Sequence, residues 1–138
     1  MSDKIRPEVS EKNKYWIDRH RYYELKHFCM QYPGWKRLCE TLDGFNKRPL
    51  RVAMSQNRNV GDPTAYCVEE REYYMDRMHM LEEIAVETDP IIGPYILEGV
   101  TKGLSYNILN ARREIPCGKD MYYELYRRFF WLLDRRRK

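Results

Sequence analysis

After Asp62-Pro63 the chain runs through TAYCVEEREYYMDRMHMLEEIAVE without a glycine or proline. Asp before Pro is a strong helix opening: an N-cap acceptor followed by the residue whose φ is pre-set for the first helical position. The helix it predicts ends near Glu87, so it is about 25 residues long and nearly 40 Å in length. Cys67, Tyr74, Met78, Leu81 and Ala85 fall on one stripe of it, and acidic residues occupy the other faces. A helix this long with one apolar stripe needs a partner helix, from this chain or from a second copy. That requirement limits the rest of the chain to helix packing, and no other segment keeps the period-2 alternation of a strand. The expected fold is all-α: an N-terminal helical hairpin with a loop over residues 1–61, then the long central helix and a C-terminal helix-turn-helix over residues 62–138.

The hairpin is read from two amphipathic segments. From about Glu11 to Tyr32, Tyr22, Leu25, Cys29 and Tyr32 recur at helical spacing, and Pro33-Gly34 is expected to end the helix. Trp35, Leu38, Cys39 and Leu42 mark a second helix expected to close at Asp43-Gly44. Residues 45–61 carry no sustained period and read as a long loop. Beyond the central helix, Asp89-Pro90 and Gly93-Pro94 compete as the start of a segment with Tyr95, Ile96 and Val100 inward, ended by Lys102-Gly103.

Function classes narrow by exclusion. No Gly-rich phosphate loop, nucleophile elbow or paired metal motif is present, so no enzyme, cofactor or metal site is expected. His20, His27, Cys29 and Cys39 lack zinc-ligand spacing, and the four cysteines read as free thiols. No apolar run reaches the ~18 residues that cross a bilayer, and MSDKIRPEVSEKNK lacks a signal-peptide centre, so a cytoplasmic protein with no membrane partner is expected. The net charge is only +4, yet residues 105–138 hold nine Lys/Arg against four Asp/Glu. Basic charge gathered at one end suits a polyanion.

That end has internal structure. Ser105 is a candidate N-cap for a short helix, YNILNARRE, which stops at Ile115-Pro116; Cys117-Gly118 permits a tight turn. A longer helix follows from Lys119, with Tyr122, Leu125, Phe129, Leu132 and Leu133 expected inside and Lys119, Asp120, Tyr123, Arg127 and Arg128 outside. Short helix, turn, longer basic helix is the layout of a helix-turn-helix. The block resembles the C-terminal helix-turn-helix of phage late-gene and autolysin regulators of the ArpU/RinA type, itself similar to the promoter-recognition domain of sigma factors. Ser105-Tyr106 matches the S-Y opening of that pattern. Ile115 and Pro116, then Lys119, Tyr122 and Tyr123, match its I-P-x-S-[KR]-x-T-[FY]-[YR] turn and helix start. Gly118 stands where Ser is usual, Met121 where Thr is usual, and Asn110 and Glu114 where a small Ala and a Gly are common. The likeness covers the last third of the chain closely and everything after Asp62 loosely.

A recognition helix offers its first turn to the major groove, so Lys119, Asp120 and Tyr123 are the candidate base readers, Lys toward guanine acceptors and Asp toward a cytosine amino group. Arg127 and Arg128 are expected on phosphates, Arg112 and Arg113 on the far side of the groove, and Arg135, Arg136 and Arg137 as sequence-independent attraction. The expected function is a phage or prophage regulator in a bacterial host, binding double-stranded DNA as a homodimer. Two alternatives use the same scaffold. One is a phage-encoded protein that binds and inhibits a host defence or transcription protein, and the other is a DNA-packaging recognition factor.

Overall fold

The structure, a computed structural model, describes residues 13–46 and 63–138. Among them every regular element is an α-helix: α1 (Arg19–Cys29), α2 (Tyr32–Asn46), α3 (Pro63–Thr88), α4 (Gly93–Lys102), α5 (Tyr106–Arg113) and α6 (Lys119–Arg136). Asp62, the expected N-cap of α3, and the expected loop from residue 47 to 61 lie outside the described residues. The chain divides into two compact units, residues 32–79 and residues 1–31 with 80–138, so α3 contributes to both.

α1 begins at Arg19, later than the expected start near Glu11. Two short polar side chains divert the backbone first: Asn13 Oδ1 accepts the Tyr15 N–H at 2.8 Å, and Asp18 caps α1 by accepting the His20 N–H at 3.0 Å. Such local bonds offer the backbone an alternative to the helical ladder. Only Met30 and Gln31 separate α1 from α2, because Pro33 stands inside the first turn of α2, where a missing N–H costs nothing. α2 also continues past Gly44 to Asn46.

In the smaller unit Trp35 and Cys39 of α2 and Cys67 and Met78 of α3 are buried. Arg71 Nε meets Asp43 Oδ1 at 2.6 Å, and the Cys39 thiol donates to the Arg71 carbonyl at 3.8 Å.

The larger unit carries the main core. α6 packs against α1 and α4, and α4 also packs against α1 and α5. Tyr22, Leu25, Phe28 and Cys29 of α1 meet Tyr122, Tyr123, Phe129, Phe130 and Leu133 of α6, with Ile96 and Val100 of α4 and Leu109 of α5 completing the core. The inward face of α6 is therefore wider than the expected stripe: Tyr123 and Phe130 are buried, while Leu125 and Leu132 are only half-buried. A helix flanked on two sides must bury more of its circumference than one seated on a single neighbour. The tie between α1 and α6 is aromatic as well as apolar, with Tyr22 and Phe130 rings edge-on at 5.0 Å and the Tyr22 and Tyr126 hydroxyls hydrogen-bonded at 2.8 Å. Burial, then the Tyr22 hydroxyl, holds the Tyr126 phenol well above its ordinary pKa.

Of the two possible starts for α4, the chain uses Gly93-Pro94. Asp89 Oδ2 gathers the N–H groups of Ile91 and Ile92 at 3.0 and 2.7 Å, and α3 and α4 meet backbone to backbone. A Cβ on Gly93 would lie 1.9 Å from the Ala85 carbonyl oxygen. At the other end Gly103, at φ 68, closes α4 in the left-handed conformation that the Lys102-Gly103 signal predicts.

Candidate nucleic-acid interface

The corner between α5 and α6 is built from short-range bonds. Ser105 caps α5 by accepting the Ile108 N–H at 3.3 Å. At the C-terminal end Glu114 stands at φ 53, the left-handed region, and its N–H returns to the Asn110 carbonyl at 2.9 Å. Asn110 Oδ1 then accepts the Ile115 N–H at 2.8 Å, and Ile115 is buried. Asn110 thus gives the chain leaving α5 a hydrogen-bond acceptor that an alanine there would lack. The Tyr106 hydroxyl donates to the Cys117 carbonyl at 2.8 Å, and Tyr123 Oη accepts the Tyr106 N–H at 3.1 Å. These two bonds tie the start of α5 to the turn and to the first turns of α6.

Beneath the corner lies Gly99 of α4. A Cβ there would stand 2.5 Å from Tyr122 Oη, so the small residue is what lets the first turns of α6 approach α4. That hydroxyl is buried with no hydrogen-bond partner among the described residues, and burial pushes the phenol pKa up. A cavity of about 60 Å³, lined by Lys26, Gly103, Ser105, Tyr123 and Tyr126 among others, has room for about two waters and none for a base.

The sequence-predicted residues divide by position along α6. Lys119 and Asp120 are exposed on its first turn, and Arg112 is exposed on α5; none of the three has an ion-pair partner among the described residues. Arg113, also exposed, forks onto Glu98 of α4, with Nε at 3.0 and 3.2 Å and Nη2 at 3.1 Å from its carboxylate oxygens. Burial works to raise the Glu98 pKa, but the bonds and charge of Arg113, joined by Lys102, outweigh it and hold the carboxyl below its ordinary value. Tyr123 is 7% exposed and occupied by Tyr106, so it does not face outward as the helical spacing predicts.

The arginines further along are engaged with the protein itself. Arg127 Nη1 reaches the Tyr123 carbonyl at 3.4 Å and Glu124 at 3.5 Å. Arg128 donates from Nε to the Thr88 carbonyl at 3.3 Å and from Nη2 to the Glu87 carbonyl at 3.4 Å. It thereby serves the C-terminal end of α3, whose last turn holds no basic residue of its own. Arg135 lies over the Trp131 ring at 4.6 Å, and Arg136 Nη2 meets Glu83 at 2.6 Å. The Arg137 guanidinium covers the Phe28 ring at 3.9 Å, and its carbonyl accepts from Arg21, which also binds Asp134 at 2.7 Å. The phosphate-facing arginine row expected from the sequence is, for Arg127, Arg128 and Arg137, a set of packing and capping contacts in the larger unit.

Two residues outside the expected set join the open surface. Ile108 on α5 and Met121 on the first turn of α6 are 49% and 53% exposed, although both are large and apolar. An outward apolar residue beside the buried Leu109 and Tyr122 is the one sequence signal that marks them.

Among the described residues no group of His, Cys, Asp or Glu is placed to hold a metal ion, and no helix is long and apolar enough to cross a membrane. No protein family, curated protein or solved structure matches this chain.

Proposed function

We propose that this chain is a phage or prophage DNA-binding regulator that places α5, the corner and the first turn of α6 against duplex DNA. The observation that carries the reading is the braced corner, which holds the first turn of an 18-residue helix in solvent with Lys119 and Asp120 exposed and Arg112 exposed on the helix before it. Lys119 and Asp120 are the base readers and Arg112 a phosphate contact. Arg136 adds phosphate attraction: an exposed ion pair such as Arg136–Glu83 contributes about 0–1 kcal/mol, little enough for the arginine to leave its carboxylate for a phosphate that releases counterions. Arg113 instead stays on the largely buried Glu98 carboxylate. Arg127, Arg128 and Arg137 serve the fold. The protein acts in the bacterial cytoplasm as a homodimer, with the exposed Tyr66 and Tyr73 on one face of α3 as the self-association surface.

The test is fluorescence anisotropy on a random-sequence duplex at about 50 mM salt, with the slope of affinity against salt measured alongside. Arg112→Glu with Lys119→Glu is expected to abolish binding, and Arg112→Ala alone to reduce the salt slope by about one. A wild-type protein that leaves duplex DNA unbound at low salt removes the reading. A second reading, contact with a host protein, is favoured by the exposure of Ile108 and Met121 at the same corner, since apolar anchors carry protein interfaces. It gains if Ile108→Asp leaves DNA affinity unchanged and abolishes a phenotype in the host.

A further inference from the structure

The first turn of α6 leaves a large apolar side chain in water. Met121 is 53% exposed at the third position of the helix, between exposed Asp120 and fully buried Tyr122. Its thioether is at most a weak acceptor and donates nothing, so against a base edge it can offer little except apolar contact. The apolar group that the major groove presents is the 5-methyl of thymine. Asp120 beside it narrows the choice further. A carboxylate in the groove is repelled by phosphates and is tolerated where a base amino group donates to it, and the amino donor is cytosine's own sole hydrogen-bonding group there, whereas adenine sets its N7 acceptor beside its amino group. Both preferences select pyrimidines.

We infer that Met121 is a specificity-determining residue that packs on a thymine methyl next to a cytosine read by Asp120, so that the site selects a cytosine–thymine step. This rests on the DNA-binding reading above. Met121 is exposed, so replacing it leaves the core intact, and thermal melting of Met121→Ala provides the check.

The experiment selects duplexes from a random library with the full chain, then measures affinity for one selected duplex as each thymine in turn is replaced by uracil, which lacks only the methyl. For the wild type one replacement is expected to weaken binding about fourfold, the worth of one buried methyl. Met121→Ala is expected to bind the thymine and uracil duplexes equally. The inference is overturned if no uracil replacement changes wild-type affinity, if Met121→Ala keeps the uracil penalty, or if the selected duplexes share no cytosine–thymine step. Those outcomes leave the DNA reading standing, whereas a chain that enriches and binds no duplex at low salt removes both.

Discussion

The two ends of α6 both carry charged side chains and do different things with them. At the first turn Lys119 and Asp120 stand exposed, without an ion-pair partner among the described residues. Two turns on, Arg128 is spent on the carbonyls of Thr88 and Glu87, and beyond it Arg136 pairs with Glu83 while Arg137 lies on Phe28. The difference arises from what each end meets. The far end passes the C-terminus of α3, where unsatisfied carbonyls and the negative end of a helix dipole attract guanidinium groups. The near end emerges from a turn whose own backbone groups are already served by Asn110 and Tyr106. Clustered arginine in a sequence is thus no measure of a binding surface, because one helix divides the same charges between holding itself and reaching outward.

The comparison breaks most severely at its support. Gly99→Ala gains about 1 kcal/mol of helix propensity but places a Cβ 2.5 Å from Tyr122 Oη. Since Tyr122 is fully buried, the clash wins, and a net loss of about 2 kcal/mol is expected in urea melts, with DNA affinity reduced as the first turn of α6 is displaced. Removing the hydroxyl should reverse the sign: Gly99→Ala with Tyr122→Phe is expected to exceed the wild type in stability, because the deleted group has no hydrogen-bond partner among the described residues. A double variant as unstable as Gly99→Ala alone would show that the clash is with something other than that oxygen.

A smaller effect separates the ends directly. Arg128→Ala removes two charge-assisted bonds to the end of α3 and should cost about 1–2 kcal/mol of stability, with duplex affinity changed less than twofold once the protein is folded. Arg112→Ala should do the reverse, leaving melting within about 0.5 kcal/mol and weakening DNA binding. Equal loss of affinity in both would mean that the far end of α6 also touches DNA.

How much of this division the sequence discloses depends on the range of each interaction. Ser105, Gly103 and Pro94 each act on neighbours within a few residues, and each ends or begins a helix where its type predicts. Tyr123 is misplaced by helical spacing because that spacing assumes one buried face, and α6 is flanked by both α1 and α4. The fates of Arg128 and Arg136 are set by Thr88 and Glu83, some 40 to 53 residues away in the chain, so nothing local announces them. Asp18 shows a near-range miss: a start near Glu11 passes over an N-cap residue that sits just before the apolar positions Tyr22, Leu25 and Cys29.

At the corner, two positions test whether its geometry is optimised. Glu114 is held at φ 53, which costs a side chain with a Cβ about 1–2 kcal/mol; glycine escapes that cost but loses more entropy on folding. Glu114→Gly is therefore expected to stabilise by about 0.5–1 kcal/mol, read as a rise in the urea midpoint at constant slope. An unchanged or lower midpoint would mean that the Glu114 side chain makes a compensating contact.

The gentlest test concerns Gly118, the N-cap of α6, at φ −77 and ψ 171 with no side chain to accept an N–H from the first turn. That backbone is open to any residue, and a Cβ there meets nothing within 4 Å, so serine fits without strain. Its hydroxyl would satisfy one of the free N–H groups for a gain of a few tenths of a kcal/mol, glycine being the least unfavourable of the residues that lack a capping side chain. In the DNA reading the same N–H groups are free to meet a phosphate. Gly118→Ser should then raise stability slightly and lower duplex affinity slightly. A variant that gains stability with unchanged affinity would place the phosphate elsewhere and leave Lys119 and Arg112 to carry the anion without help from the helix end.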